Sequence, residues 1–286
     1  MFISQTGGHG DFRMPYEVPR GSHGQLSHSE LMRGAAIADG VPEVLRATRE
    51  QLMLGASQIK VMSGGGVSSS YDPLDVTQYT EPEILAAVEA AECWGTYVTV
   101  HAYTPRAVQQ ALRAGVRCIE HGQLLDEETV ALIAEQDVWW CLQPFVDDDD
   151  ATPTHGANRT KQLQMFSGTD TAYRLAVEHG AKVAFGSDVL FSPALWRRQT
   201  LRLTKLVRWM SPADVMIMAT SRNAELLALA GPRNPYPARL GVVAEGALAD
   251  LLLVDGDPLA DLSVLTTPDL TMPVIVKAGA VVKNAA

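Results

Sequence analysis

The sequence predicts an α/β fold: a barrel of parallel strands and helices lacking its first strands, followed by a small β-rich part. Three observations carry this expectation. Short apolar runs alternate with helix-like stretches along most of the chain, and such alternation implies a parallel sheet. Four polar residues, Lys60 in QIKVM, His101 in VTVHAYT, His121 in CIEHG and Asp188 in AFGSD, sit where barrel strands should end. From about residue 236 the pattern changes, and LGVVAEGALADLLLVDGDPL and MPVIVKAGAVVKN read as strands joined by glycine turns.

The elements follow in order. MFISQT reads as a strand over 2–6, and residues 12–40, rich in Gly, Pro, His and Ser, read as a long loop or lid. A helix over 41–54 ends at Gly55, and the strand 57–62 runs into Gly64, Gly65 and Gly66. Thr80 with Glu83 forms a capping box ahead of ILAAVEAAECW. The β-branched strand 96–100 delivers His101. Thr104 and Pro105 open a helix that stops at Gly115, and the strand 116–120 delivers His121. Asp126 caps the next helix, 138–142 is the next strand, and 143–170 reads as a loop. A helix over 170–179 precedes the strand 182–186, which delivers Asp188. Helical stretches over 194–210 and 212–229 close the barrel part, and Ala278-Gly279-Ala280 marks a hairpin. The barrel part is expected to span 1–235 and the β-rich part 236–286.

Composition narrows the function. With 47% hydrophobic and 20% charged residues, the 286-residue chain is globular, and a net charge of -10 argues against a nucleic-acid-binding surface. The run Asp147 to Asp150 reads as a solvated loop, with a cation-binding loop as the alternative. Three cysteines without CxxC spacing fit reduced thiols in a cytoplasmic protein, Cys118 and Cys141 being core candidates. No apolar stretch approaches the ~20 residues of a membrane span, so no membrane partner is expected. No signal peptide is visible at Met1.

The strand-end residues suggest metal chemistry. Side chains at the C-terminal ends of barrel strands point into one mouth. His101 and His121 are one short βαβ step apart, and neutral imidazoles on neighbouring strands hold zinc well. Taken singly, each also reads as a capping or core histidine. Lys60 lies between apolar residues, and burial of an ammonium is costly unless it is paired or modified. Carbamylation would turn it into a carboxylate able to bridge two cations; pairing with a carboxylate such as Asp188 is the alternative. Asp188 beside a cation can move a proton between water and a leaving group, or else serve as a loop or capping residue. His9 and Tyr103 are placed to contact substrate or to pack. His23, His28, His155 and His179 read as surface or loop residues. The Gly64–Gly66 run could cradle an anion, although no nucleotide loop follows from it.

Taken together, TGGHGD, IKVMSGGG, VTVHAYT, IEHG, FGSD and EGALADLLLVDGDPL resemble the amidohydrolase superfamily, in particular its imidazolonepropionase-like and Xaa-Pro-dipeptidase-like members. The resemblance implies a (β/α)8 TIM barrel with a small β-sandwich and a binuclear zinc-type centre. It makes Lys60 the carbamylated bridge, His101 and His121 ligands of the second metal, and Asp188 ligand and general base. It makes Tyr103 the group that polarises the scissile carbonyl and puts His9 beside the substrate. The expected substrate is a small amide, a dipeptide or N-acyl amino acid. A cyclic-amide hydrolase or deaminase, or a non-catalytic fragment completed by a partner, are the alternatives, and self-association is left open. The His-x-His pair of the family has no counterpart in the chain. The expectation is therefore a barrel incomplete at its N-terminus, fewer than two bound metals and weak catalysis.

Overall fold

A parallel sheet of short apolar strands organises the first of two units in the computed structural model, which describes residues 1–190 and 192–286, without the side chains of Ser22 and His23. This unit comprises Met1–Leu142, Pro153–Lys182 and Leu229–Arg233. Its elements are β1 (Phe2–Ser4), α1 (Arg20–His23), α2 (His28–Leu31), β2 (Ala35–Ile37), α3 (Val41–Met53), β3 (Ile59–Met62) and α4 (Glu81–Glu92). They continue with β4 (Val98–Ala102), α5 (Pro105–Arg113), β5 (Cys118–His121), α6 (Glu127–Glu135), β6 (Trp139–Leu142) and α7 (Gly156–Glu178). Within the unit the strand order is β2-β1-β3-β4-β5-β6, and the pairs β1/β2, β1/β3, β3/β4, β4/β5 and β5/β6 are all parallel.

The core follows from strand composition. Ile3, Val61, Val100, Ile119, Trp140 and Leu142 are fully buried, as strands covered on both faces require. The helices present small apolar stripes to the sheet: α5 buries Ala107, Val108, Ala111 and Leu112, two pairs one turn apart.

The 12–40 segment is more ordered than expected. Ser27 and Glu30 form a capping box on α2, Glu30 is buried among Arg13 and Arg20, and β2 pairs with β1 in parallel. These elements escape a periodicity search because each is only three or four residues long. The segment 143–170 is likewise not all loop, since α7 begins at Gly156. Its polar face masks the pattern, and Gly168 within it is required by close approach: a Cβ there would lie 2.0 Å from the Gln123 carbonyl oxygen.

The second unit comprises Gln143–Thr152, Val183–Ala228 and Asn234–Ala286. The strand β7 (Lys182–Phe185) leads into it. The two long helices expected over 194–229 are broken into α8 (Pro193–Trp196), α9 (Leu201–Lys205), α10 (Pro212–Ile217), a π-turn (Met218–Arg222) and α11 (Asn223–Ala228). After β8 (Leu251–Leu253) come α12 (Pro268–Thr271), β9 (Val274–Lys277) and β10 (Ala280–Asn284), and the three strands form an antiparallel sheet in the order β10-β9-β8. The hairpin turns at Ala278 and Gly279, both at positive φ, as a two-residue turn that matches strand twist demands. The Asp147–Asp150 run is held by cations. Lys205 Nζ lies 2.7 Å from Asp148, and Arg198 lies 3.2 Å from Asp150. This loop is a salt-bridged surface, not a purely solvated one.

Glu83 does more than its capping box implies. Its carboxylate accepts from Thr80 N and Thr80 Oγ1 at 2.7 Å each and, across the first unit, from Gly40 N at 2.7 Å. Gly40 is the N-cap of α3, so one side chain ties the starts of α3 and α4. Removing it frees orphan donors at two helices. Glu83→Ala is therefore expected to cost about 2 kcal/mol, roughly twice a single cap, in urea denaturation. A cost no larger than that of Thr80→Ala would show that the second tie carries nothing.

Candidate metal and catalytic site

The parallel register brings the polar strand residues together. Lys60 on β3 stands beside Thr99 on β4, and His101 on β4 stands between Met62 and Glu120. Alternation along a strand puts Thr99 and His101 on one face of β4 and Lys60 and Met62 on one face of β3. Thr99 Oγ1 donates to Glu120 Oε1 at 2.7 Å, so Glu120 shares that face. Strict alternation would send His121 to the opposite side. It does not go there: His121 has φ 76, a left-handed conformation uncommon outside glycine. Its ring lies 4.6 Å from that of His101, centroid to centroid. The turn is held from behind by Trp140, whose Nε1 donates to the His121 carbonyl at 2.6 Å. Gly122 must be glycine here, with φ +70 and a hypothetical Cβ 2.6 Å from that indole nitrogen.

His9 and Tyr103 complete the cluster. His9 stacks on His101 with centroids 4.0 Å apart and an interplanar angle of 18°. Tyr103 packs edge-on to His101 at 5.0 Å and lies 5.2 Å from His121. All four rings are buried. His101 Nε2 lies 3.0 Å from the Gly65 carbonyl. A carbonyl only accepts, so Nε2 carries the proton and Nδ1 is the nitrogen with a lone pair.

Burial favours the neutral form of His101 and His9. Desolvation, then the neighbouring His9, His121 and Lys60, holds His101 well below its ordinary value. His9 is pushed down to about 3 by burial first, then by His121, Lys60 and Lys161. Burial pushes the Glu120 carboxyl up, but Lys60, Thr99, His121 and Cys141 together hold it below its ordinary value. Half-buried Lys60 thus faces an ionised Glu120 within its own unit. Sequence reasoning weighed Asp188 as the partner and missed Glu120, because EH in CIEHG reads as a single strand end.

These groups suit a divalent cation on chemical grounds. Two buried imidazoles approach one another, and one is oriented by a carbonyl on its other nitrogen, as metal-ligating histidines usually are. Lys60 fits only without its charge, since an ammonium repels a cation and a carbamate attracts one. Among the described residues, no group of three or more His, Cys, Asp or Glu is arranged to hold a metal ion. The candidate set is two histidines and a lysine.

The glycine run Gly64–Gly66 is not an anion cradle. Gly65 N donates to Val76 O at 3.1 Å, and Gly66 N donates to Asp72 Oδ2 at 2.8 Å. Glycine is needed there for packing: a Cβ on Gly65 would lie 1.7 Å from Pro73 O, and one on Gly66 would lie 1.9 Å from His9 Nδ1.

Asp188 belongs to the second unit. It follows β7, is exposed, and has φ 44, again an uncommon left-handed backbone. The end of β7 is clamped by Asn223, whose side chain accepts from Phe185 N at 2.8 Å and donates to Phe185 O at 3.0 Å. Arg202, buried in the same unit over the Phe145 ring at 5.5 Å, feels the Asp188 charge. Neither Asn223 nor Arg202 carries a local sequence signal. Of the remaining histidines, His28 starts α2, His155 is the N-cap of α7 and His179 follows its end, 3.6 Å from Glu127. The surface expectation for His23 concerns a side chain outside the described residues.

Residues 11–282 match the model of the amidohydrolase family. The chain belongs to that family. Ochratoxinase of Aspergillus niger is 31% identical over 274 residues, 93% of this chain and 55% of that protein. The chain thus spans about half the length of the curated relatives it matches most fully. A crystal structure of an amidohydrolase aligns with TM-score 0.87 and 36% identity, covering 99% of this chain and 68% of that one. A prolidase complexed with N-methylphosphonate-L-proline aligns with TM-score 0.87 and 34% identity, covering 99% and 68%. A Xaa-Pro dipeptidase with methionine in its active site aligns with TM-score 0.82 and 28% identity, covering 99% and 66%.

The depressed histidines make stability depend on pH. Between the ordinary 6.5 and about 3, the unfolded chain binds a proton at His9 that the folded chain does not. Stability is therefore full above about pH 6.5 and falls as pH falls through that window. His101, shifted in the same direction, steepens the loss. The urea midpoint of metal-free His9→Gln is expected to fall less steeply across this window than that of the parent chain. Equal slopes would contradict the assignment.

Proposed function

We propose that the protein is a metal-dependent amidohydrolase that cleaves an amide C–N bond in a dipeptide or N-acyl amino acid. The observation that supports this most is the meeting of two buried imidazoles, His101 and His121, with His9 and Tyr103 against them. Kinship with ochratoxinase and with prolidase-like structures supports the bond type. In this reading residues 1–235 form the catalytic part and 236–286 the small β-part. Three cysteines outside any disulfide, two of them buried, suit a reducing cytoplasm.

His101, His121, Asp188 and Lys60 as a carbamate would hold the cation, and imidazole donors favour zinc. When bound, it supplies Lewis acidity to the scissile carbonyl and a nucleophile at neutral pH. The protein's own groups do the rest. His101 offers Nδ1 because its Nε2 proton is committed to Gly65 O. The Tyr103 hydroxyl donates to the carbonyl oxygen as negative charge develops there, in a buried site where such a bond is strong. Asp188 takes the proton of the attacking water and returns it to the leaving nitrogen. His9 contacts the substrate.

Hydrolysis of dipeptides and N-acyl amino acids in the presence of zinc tests the reading. Asp188→Asn is expected to lower kcat on the order of a hundred-fold or more, and Tyr103→Phe on the order of a hundred-fold. Turnover of neither substrate class, or turnover indifferent to Asp188→Asn, would overturn it. Lys60 has a separate test. With ¹³C-bicarbonate, a carbamate carbon signal is expected by NMR and should vanish in Lys60→Ala. Identical spectra would leave Lys60 as an ammonium paired with Glu120.

A further inference from the structure

We propose that Ser69 and Asp72 are positioning residues that hold His9 in its Nδ1-protonated form, so that Nε2 meets the substrate as a hydrogen-bond acceptor. The inference deepens the reading of His9 as a substrate contact and rests on it for the substrate's part only.

His9 Nδ1 lies 2.7 Å from Ser69 Oγ. A serine hydroxyl has one proton to give and lone pairs to receive with. The acceptor within reach of this hydroxyl is the Gly66 carbonyl, at 3.4 Å. A carbonyl only accepts, so the Ser69 proton goes to it. Its lone pair therefore faces His9, and Nδ1 must supply the hydrogen. Asp72 Oδ2, 3.7 Å from Nδ1, adds a negative charge on the same side of the ring. That oxygen accepts from Gly66 N at 2.8 Å and from Gln78 Nε2 at 3.1 Å, a set of donors that suits a carboxylate.

The frame around this relay is fixed from three sides. Gln78 Oε1 accepts from His9 N at 2.9 Å while its amide nitrogen binds Asp72, so one side chain sets both ends. Lys161, on α7, donates to the carbonyls of Gly66 and Ser69 at 2.7 Å each and of Asp72 at 3.2 Å. Three carbonyls of one loop converge on one ammonium. The Gly66 backbone passes so close to the ring that no side chain fits between them. With Nδ1 committed, Nε2 is the nitrogen left for the site. A lone pair there recognises a substrate N–H or ammonium group and gives nothing to an oxygen acceptor.

The test is the histidine tautomer, read by two-bond ¹H–¹⁵N correlation NMR on metal-free protein labelled at the imidazole nitrogens. The signals of His9 are assigned by their absence in His9→Gln. The parent chain is expected to show the Nδ1–H pattern. Ser69→Ala/Asp72→Ala, checked for folding by circular dichroism, is expected to shift His9 to the Nε2–H form. An Nε2–H pattern in the parent chain overturns the proposal on its own, even if the double variant does not fold. An unchanged Nδ1–H pattern in a folded double variant overturns it too. Neither result depends on turnover, so failure here is distinct from failure of the amidohydrolase reading.

Discussion

The site depends on one constraint, the parallel register of β3, β4 and β5. That register puts Lys60 beside Thr99 and His101 beside Glu120. A slip of one residue would turn each side chain to the other face of the sheet and scatter the cluster. The register is strongly specified because both faces are buried: Val61, Val100 and Ile119 occupy one side and the polar residues the other. His121 is the exception that completes the set. It reaches its neighbours by leaving strand geometry, at φ 76, under the hydrogen bond from Trp140. Local strain of this kind persists only where surrounding structure over-determines it.

Burial then sets the chemistry. Imidazoles taken out of water lose their protons first, and a neutral ring is the ligand and hydrogen-bonding form. Charge is favoured where it is paired, as Glu120 is with Lys60 and Thr99, whereas burial pushes the Asp72 carboxyl up against its backbone and Gln78 donors. The same low-polarity surroundings that depress the histidines would strengthen their bond to a cation and the bond of Tyr103 to a developing oxyanion. In the proposed reading stability and reactivity are coupled, since buried His9 and His101 make the fold more sensitive to acid.

Much of this was legible in the sequence. Apolar runs ending in a polar residue marked His101 and His121, because strand ends in a parallel α/β fold are where polar side chains can gather, and Lys60 was marked by its isolation between the apolar residues of β3. The helix starts at Glu81, Pro105 and Glu127 were legible because caps and prolines act locally. What was not legible acts across the chain. Ser69 and Asp72 meet His9 from 60 and more residues away, and Lys161 reaches Gly66 across 95. Glu83 ties α3 to α4, and Asn223 clamps β7. Such bonds leave no period or motif. The glycine run misled for the same reason. Its need for small residues comes from Pro73 and His9 packing on it, and nothing local distinguishes that from an anion-binding loop.

The central claim is that His101 and His121 hold one cation together. Calorimetric titration of zinc into the metal-free chain, His101→Asn, His121→Asn and the double variant tests it most directly. Ligands of one ion are non-additive. The account predicts saturable binding by the parent chain, and a loss in either single variant nearly as large as in the double. Undiminished binding in the single variants, or losses that simply add, would contradict it.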